Sequence, residues 1–407
     1  MNSHLGLWPR TLAVAVALAL LTACSSGGSS ASSNVVKIGV DLPLSGADAS
    51  VGQSTLNGII LAVESANEGH ALPDGMSVAV DSLDDAVQGV HSPQQGVANV
   101  RTFVSDANVL AVVGPYNSNV AAAEIPVTNA AGLAQIGPSV VSDGLTLGAD
   151  AAALRRSNPD LNTFFRVCTT DTRQGAAGAR FAHQLGWKTA YLVDDNETYG
   201  LDLADVFESD FGKLGGKVLG HDHLAANTQD FKALLLKIAA SKPDVLFYGG
   251  VTSTGGGLLR KQMFDTGLGK TPMLGGDGIP DLNTVAGNLA DGAYYTVAAP
   301  NAEKLPVAQG FVKAYQVRFN APVGPYSANA YAATQVAIAA IAAAARNAKG
   351  FPARAAVVKQ VVLSDLQTPI GHVQFDRNGD IRNPVISLYT FKNGQPSFIQ
   401  QLNLTDK

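Results

Sequence analysis

A chain of 407 residues, 46% apolar and 15% charged with a net charge of −5, is long enough to divide its core between two lobes. Its mildly acidic balance without basic runs argues against nucleic acid as a partner. Two cysteines, Cys24 and Cys168, leave no intramolecular disulfide if Cys24 is modified, so the core must hold the fold.

The first 23 residues carry one basic residue, Arg10, and then an unbroken apolar run from Leu12 to Leu21. That run is too short to span a bilayer and has the form of a signal-peptide core. Leu21-Thr22-Ala23-Cys24 and the Ser/Gly stretch behind it match the lipobox of bacterial lipoproteins, in which the cysteine is acylated. The expectation is a signal peptide over 1–23, a lipidated Cys24, a flexible tether over 24–34, and an extracytoplasmic body held at the cell membrane. The plainer alternative is a secretory leader with an incidental cysteine, which exports the protein without anchoring it.

Val35 to Val40 reads as a strand, followed by the turn-rich Asp41-Leu42-Pro43-Leu44-Ser45-Gly46. Leu56, Ile59, Ile60 and Val63, spaced by three and four, predict a helix. The alternation continues with strand Met76 to Val80, helix Gln94 to Val104, strand Val109 to Val113, a helix around Ala121 and strand Ala134 to Ile136. Past Phe165 it starts afresh: strand Thr189 to Val193, helix Leu201 to Leu214, strand Lys217 to Gly220, helix Phe231 to Ala240 and strand Val245 to Tyr248. Such alternation predicts α/β units with parallel sheets covered by helices on both faces. Ala328 to Ala345, broken by Asn329, Tyr331, Thr334 and Gln335, reads as a buried Ala-rich helix and not a membrane span. Asp376 to Asp380 reads as a hairpin turn between Val373 to Phe375 and Val385 to Phe391.

Open parallel sheets bind ligands at the carboxyl ends of their strands, and three loops there stand out. Gly114-Pro115-Tyr116-Asn117-Ser118-Asn119 leads into a helix whose free N–H groups suit a carboxylate, although simple capping by Asn117 or Ser118 explains the pattern equally well. Gly137-Pro138-Ser139-Val140-Val141-Ser142 is the second loop. In the third, Gly275-Gly276-Asp277-Gly278, Asp277 suits an ammonium group by a charge-assisted bond, or else simply forms a turn.

Other apparent motifs fail. Gly267-Leu268-Gly269-Lys270-Thr271 ends like a phosphate-binding loop, but Phe264 stands where its first glycine is needed. His221-Asp222-His223 alternates faces along a strand and reads as a solvated edge instead of a metal site. Cys168 reads as a small packed residue. No Ser/His/Asp order or carboxylate pair suggests catalysis, and neither a cofactor nor a metal is expected.

Taken together, Ile38-Gly39-Val40 through Leu44-Ser45-Gly46, the Gly114 loop and its spacing to Gly137-Pro138-Ser139, Arg166 through Gln174-Gly175, the Asp194 to Tyr199-Gly200 turn, Tyr248-Gly249-Gly250 and Gly275-Gly276-Asp277-Gly278 resemble the leucine/isoleucine/valine-binding protein family. This is the type I periplasmic-binding-protein group that serves branched-chain amino acid ABC transporters. The resemblance spans the whole mature chain. It implies two Rossmann-like lobes joined by a three-crossover hinge, here over 35–168 plus 301–372 and 169–300 plus 373–407, closing on a small ligand that is then delivered to a permease.

By matching loops, the resemblance implies that Ser118 donates to a ligand carboxylate and the Ser139 backbone helps hold the head group. Asp277 would face the α-ammonium, Tyr199 and Tyr326 would line the side-chain pocket, and Asp171 would lie at the first crossover beside the cleft. One position departs: Val141 stands where the family usually has a Thr that bridges ammonium and carboxylate, a loss of about 1 kcal/mol or more for a zwitterion. Val51 and Val251 replace larger aromatics, which implies a roomier pocket. A branched-chain amino acid is therefore the leading ligand, with aromatic acids, amides and short polyamines as rivals, and ligand sensing is the alternative to transport.

Overall fold

The computed structural model describes residues 34–225, 228–348 and 350–403. The leader and Cys24 lie outside these residues.

The apolar run Val35–Leu42 forms a strand at the centre of lobe 1, between Ser77–Asp84 on one side and Val109–Val113 on the other. Ala134–Gly137 and Phe164–Arg166 complete a five-stranded sheet, parallel throughout. Every residue of Val109–Val113 is buried, the continuous apolar pattern of a strand covered on both faces. Ala49–Glu68 and Pro93–Ser105 are among the helices that cover the sheet.

The second sheet has seven strands. Met273–Gly275, Val245–Gly249, Thr189–Asp194 and Lys217–His223 run parallel, as does Ala293–Val297, while Val385–Lys392 and Gln395–Asn403 add an antiparallel edge. The expected helices appear as Thr198–Lys213 and Lys232–Ser241, and a further helix, Asp171–Gln184, precedes them where the periodicity indicated none. Thr198–Lys213 starts three residues earlier than the periodicity suggests, which places Tyr199 in its first turn.

The chain passes between the sheets after Arg166, after Val297 and before Val385. The first two crossings are tied together: the Thr169 N–H donates to the Ala298 carbonyl at 3.2 Å, and the Asn329 side chain donates to the Val167 carbonyl at 2.8 Å. Beside them Arg166 is fully buried. It binds the Asp380 carboxylate at 2.6 Å and donates to the Ser142 and Val140 carbonyls at 2.7 and 3.1 Å. Ser327–Ala348 is long and apolar enough to cross a membrane by length and composition, but most of it is buried against Ala49–Glu68 and other parts of the body.

One expectation fails. Asp376 to Asp380 is a tight turn that closes a short antiparallel bridge, Phe375 opposite Ile381, with the Arg382 N–H donating to the Gln374 carbonyl at 3.0 Å, but Val385 to Phe391 is not the partner across it. Gly371–Val373 pairs with Leu366–Thr368, and the turn lies along the edge strand Phe164–Arg166. The hairpin partner of Val385–Lys392 is Gln395–Asn403, joined through Asn393-Gly394 with both residues at positive φ. Asn-Gly favours that two-residue turn because both central positions need positive φ.

Candidate functional site

Between the carboxyl ends of the two sheets lies a narrow cavity, lined from lobe 1 by Tyr116, Asn117, Ser118, Asn119, Ser139 and Val141. Glu197, Tyr199, Val251, Asp277 and Gly278 line it from lobe 2, and Tyr326 from the start of the Ser327–Ala348 helix. Of the residues expected at the site, Ser118, Ser139, Val141, Tyr199, Asp277 and Tyr326 meet here. Val251 is a wall; Val51 is not.

The lobe 1 wall is built by a sharp departure from the Val109–Val113 strand. Gly114 sits at φ +130°, and a Cβ there would lie 2.3 Å from the Asp41 carbonyl oxygen, so only glycine lets the chain turn against the neighbouring strand. Helix Ser118–Ala130 then begins at the cavity. Asn117 makes no side-chain cap, and its buried Oδ1 accepts no hydrogen bond from the described residues, while the Asn119 side chain accepts the Val120 N–H at 2.8 Å. The Ser118 hydroxyl accepts from the Val141 and Ser142 N–H groups at 3.2 and 3.3 Å, which leaves its own proton to donate elsewhere. Ser139 turns its hydroxyl away to the Tyr116 carbonyl at 2.9 Å, so any ligand contact falls to its backbone.

Opposite stands Asp277, buried after the strand Met273–Gly275. Its carboxylate accepts a hydrogen bond from the Tyr326 hydroxyl. Burial raises its pKa, and hydrogen bonds from Tyr326, Tyr199 and Gln174 hold it back. The Tyr199 hydroxyl in turn accepts from the Gly278 N–H at 3.1 Å, and the Tyr116 and Tyr326 rings meet edge to face with centroids 5.8 Å apart. The result is a negative group in an aromatic cage, facing a helix N-terminus that favours the opposite sign of ligand charge.

Asp171 is not a wall of the cavity. It opens helix Asp171–Gln184, donates its N–H to the Val141 carbonyl at 2.9 Å and is wholly buried, with neither carboxylate oxygen accepting a hydrogen bond from the described residues. Burial, and then the nearby Asp277, push its carboxyl well above the usual range. Cys168 is buried too; its thiol donates to the Val140 carbonyl at 3.3 Å, and burial pushes its pKa far up. A thiol so placed is a packed residue, as its sequence context suggests.

The lobes touch across the cleft mouth. His91 bridges Asp48 at 3.0 Å and Glu197 at 2.9 Å, Asn119 also reaches Glu197 at 3.0 Å, and the Ser253 hydroxyl donates to Asp48 at 2.9 Å. Ser142 meets Asp202 at 2.5 Å on the other flank. Sequence inspection missed His91, Asp48 and Glu197, because each lies in an ordinary short strand or helix start, His91 and Asp48 meet only through the fold of lobe 1, and Glu197 joins them only across the cleft.

The sequence pattern of the periplasmic binding protein family matches residues 35–395. The chain belongs to that family. This binding protein is 29% identical over 379 residues to a Leu/Ile/Val-binding protein homolog of Brucella melitensis, across 92% of its own length and 96% of the relative's. Its fold superposes with a TM-score of 0.77 on the leucine binding protein LivK of Thermotoga maritima, at 25% identity over 91% of this chain and 99% of that one. A solute binding protein of R. palustris in complex with benzoate shares the fold alone, with a TM-score of 0.76 at 21% identity over 92% of this chain and 98% of that one. Family membership makes this a solute-binding protein that acts outside the cytoplasm, a role that needs no catalysis.

Proposed function

We propose that the protein captures an α-amino acid with an apolar side chain between its lobes and delivers it to the permease of an ABC importer. The observation that carries this is the buried Asp277, caged by Tyr326 and Tyr199, facing the start of helix Ser118–Ala130 across the cavity. A zwitterion satisfies both ends: its ammonium pairs with Asp277, and its carboxylate meets the Ser118 hydroxyl and the free N–H groups of the helix start. Tyr116, Val141, Tyr199, Val251 and Tyr326 enclose an apolar side chain. The lobe division at 168, 300 and 372, the lipid on Cys24 and the membrane tether are part of the same proposal.

Thermal-shift screening and calorimetry, with leucine, isoleucine, valine and phenylalanine set against their deaminated analogues, test this reading. Asp277→Ala should lose roughly 1.5–3 kcal/mol of amino-acid affinity, ten- to a hundredfold or more, while remaining folded. A folded Asp277→Ala variant with normal affinity would remove the site assignment. Val141 favours a second reading, because it takes away the hydroxyl that holds a zwitterion's head group. If only benzoate and the deaminated analogue of phenylalanine stabilise the protein, its cargo is an aromatic carboxylate.

A further inference from the structure

We infer that Asp194, His221 and His223 form a binding site for a divalent transition-metal cation of the zinc class, at the edge of the seven-stranded sheet. The site is independent of the cleft. Strand Lys217–His223 runs three residues further than its apolar pattern suggests and pairs with Thr189–Asp194, with His223 opposite Asp194 and His221 opposite Leu192. The strand is the solvated edge of its sheet, as its sequence suggests, and alternation separates Asp222 from the two histidines and puts both histidines on one face. Asp222 turns to Tyr191 and Lys237, at 2.5 and 2.9 Å.

On the other face, two imidazole nitrogens converge on one oxygen. His221 Nε2 and His223 Nδ1 each lie 2.7 Å from Asp194 Oδ2, and one donor atom from each of the three residues falls within 4.8 Å of the others. Zinc with Zn–N bonds of about 2.0–2.1 Å sets neighbouring donors roughly 3.3 Å apart, a small adjustment from this arrangement.

The donors are held from behind. The buried Asp194 accepts from the Asn196 N–H through its other oxygen at 2.8 Å, and His221 Nδ1 lies 3.2 Å from Glu208 Oε2. A carboxylate on the far nitrogen fixes the imidazole tautomer with the lone pair of Nε2 facing the cation, the arrangement found behind metal-bound histidines. His223, with half its side chain exposed, leaves an open side for entry and for a further ligand. Two imidazoles and one carboxylate suit zinc, nickel or copper, and not calcium or magnesium, which prefer oxygen donors.

The full protein, stripped with a chelator, is titrated with Zn²⁺ by calorimetry and with Co²⁺ by visible absorption, with and without amino acid. We expect one equivalent of Zn²⁺ and tetrahedral-type Co²⁺ bands that Zn²⁺ displaces and excess Mg²⁺ or Ca²⁺ does not. His223→Ala, at a half-exposed position, should keep the fold and abolish the Co²⁺ bands. Glu208→Gln should weaken binding about 10–100-fold. No saturable Zn²⁺ uptake, displacement by Ca²⁺, or unchanged binding by folded His223→Ala would each overturn the proposal, and none of these outcomes bears on the amino-acid site.

Discussion

At the scale of single residues, the buried acids of lobe 1 tie stability to pH. Glu124 and Asp41 are both fully buried and interact; Asn99 donates to Asp41 at 2.6 Å and Gln135 donates to Glu124 at 2.6 Å. Burial, and then the charge of Asp41, push the Glu124 carboxyl well above the usual range. A raised carboxyl contributes stability that is full below its unfolded value, near 4.5, and declines as pH rises towards its folded value. Glu124→Gln copies the protonated form. Its urea midpoint should match wild type at pH 5 and exceed it at pH 8, whereas Glu124→Ala, which strands Gln135 and Asp41, should cost about 1–3 kcal/mol at both.

At the scale of elements, the crossing of Ala49–Glu68 with Ser327–Ala348 depends on a backbone contact. A Cβ at Gly58 would stand 2.2 Å from the Ser327 carbonyl oxygen, an atom that cannot move without its helix. Gly58→Ala normally gains helix propensity, yet here it should cost about 1–3 kcal/mol because the helices must separate. Chemical denaturation checks the sign. Tyr326 immediately precedes that helix, so the same variant should also weaken amino-acid binding.

At the scale of the molecule, closure rests on few polar contacts, and His91 is central to them. Burial disfavours its charge, but hydrogen bonds to Asp48 and Glu197 prevail and hold its pKa up to about 10; Asp85 is the other acid that acts on it. A raised imidazole contributes stability fully below pH 6.5, and that contribution is lost as pH rises through about 10. Glu197 reaches His91 from the other lobe, so the share of this contribution that Glu197 supplies belongs to the closed form and should fade between those limits. Glu197→Gln and His91→Gln should each lower ligand affinity by about 1–3 kcal/mol at pH 7 and flatten this decline, as calorimetry from pH 6 to pH 10 would show. Unaltered pH dependence in both variants would mean that closure does not use the bridge.

The sequence alone determined most of the central strands and the helices beside them, because a residue's periodicity records which face it buries, and that is a local property; short or edge elements such as Phe164–Arg166 and Gln395–Asn403 carry too little of that pattern. It also marked the Gly114, Gly137 and Gly275 loops, since parallel strands end in such turns. Asn393-Gly394 was a stronger hairpin signal than Asp376 to Asp380, and weighing it would have placed the last hairpin correctly. What the tertiary structure decided were pairings between distant segments: Asp277 with Tyr326, His91 with Glu197, Asp194 with His221 and His223, and Arg166 with Asp380. Each joins residues whose neighbours in sequence carry no trace of the partner, because the contact exists only once two strands lie in register or two lobes meet across a cleft.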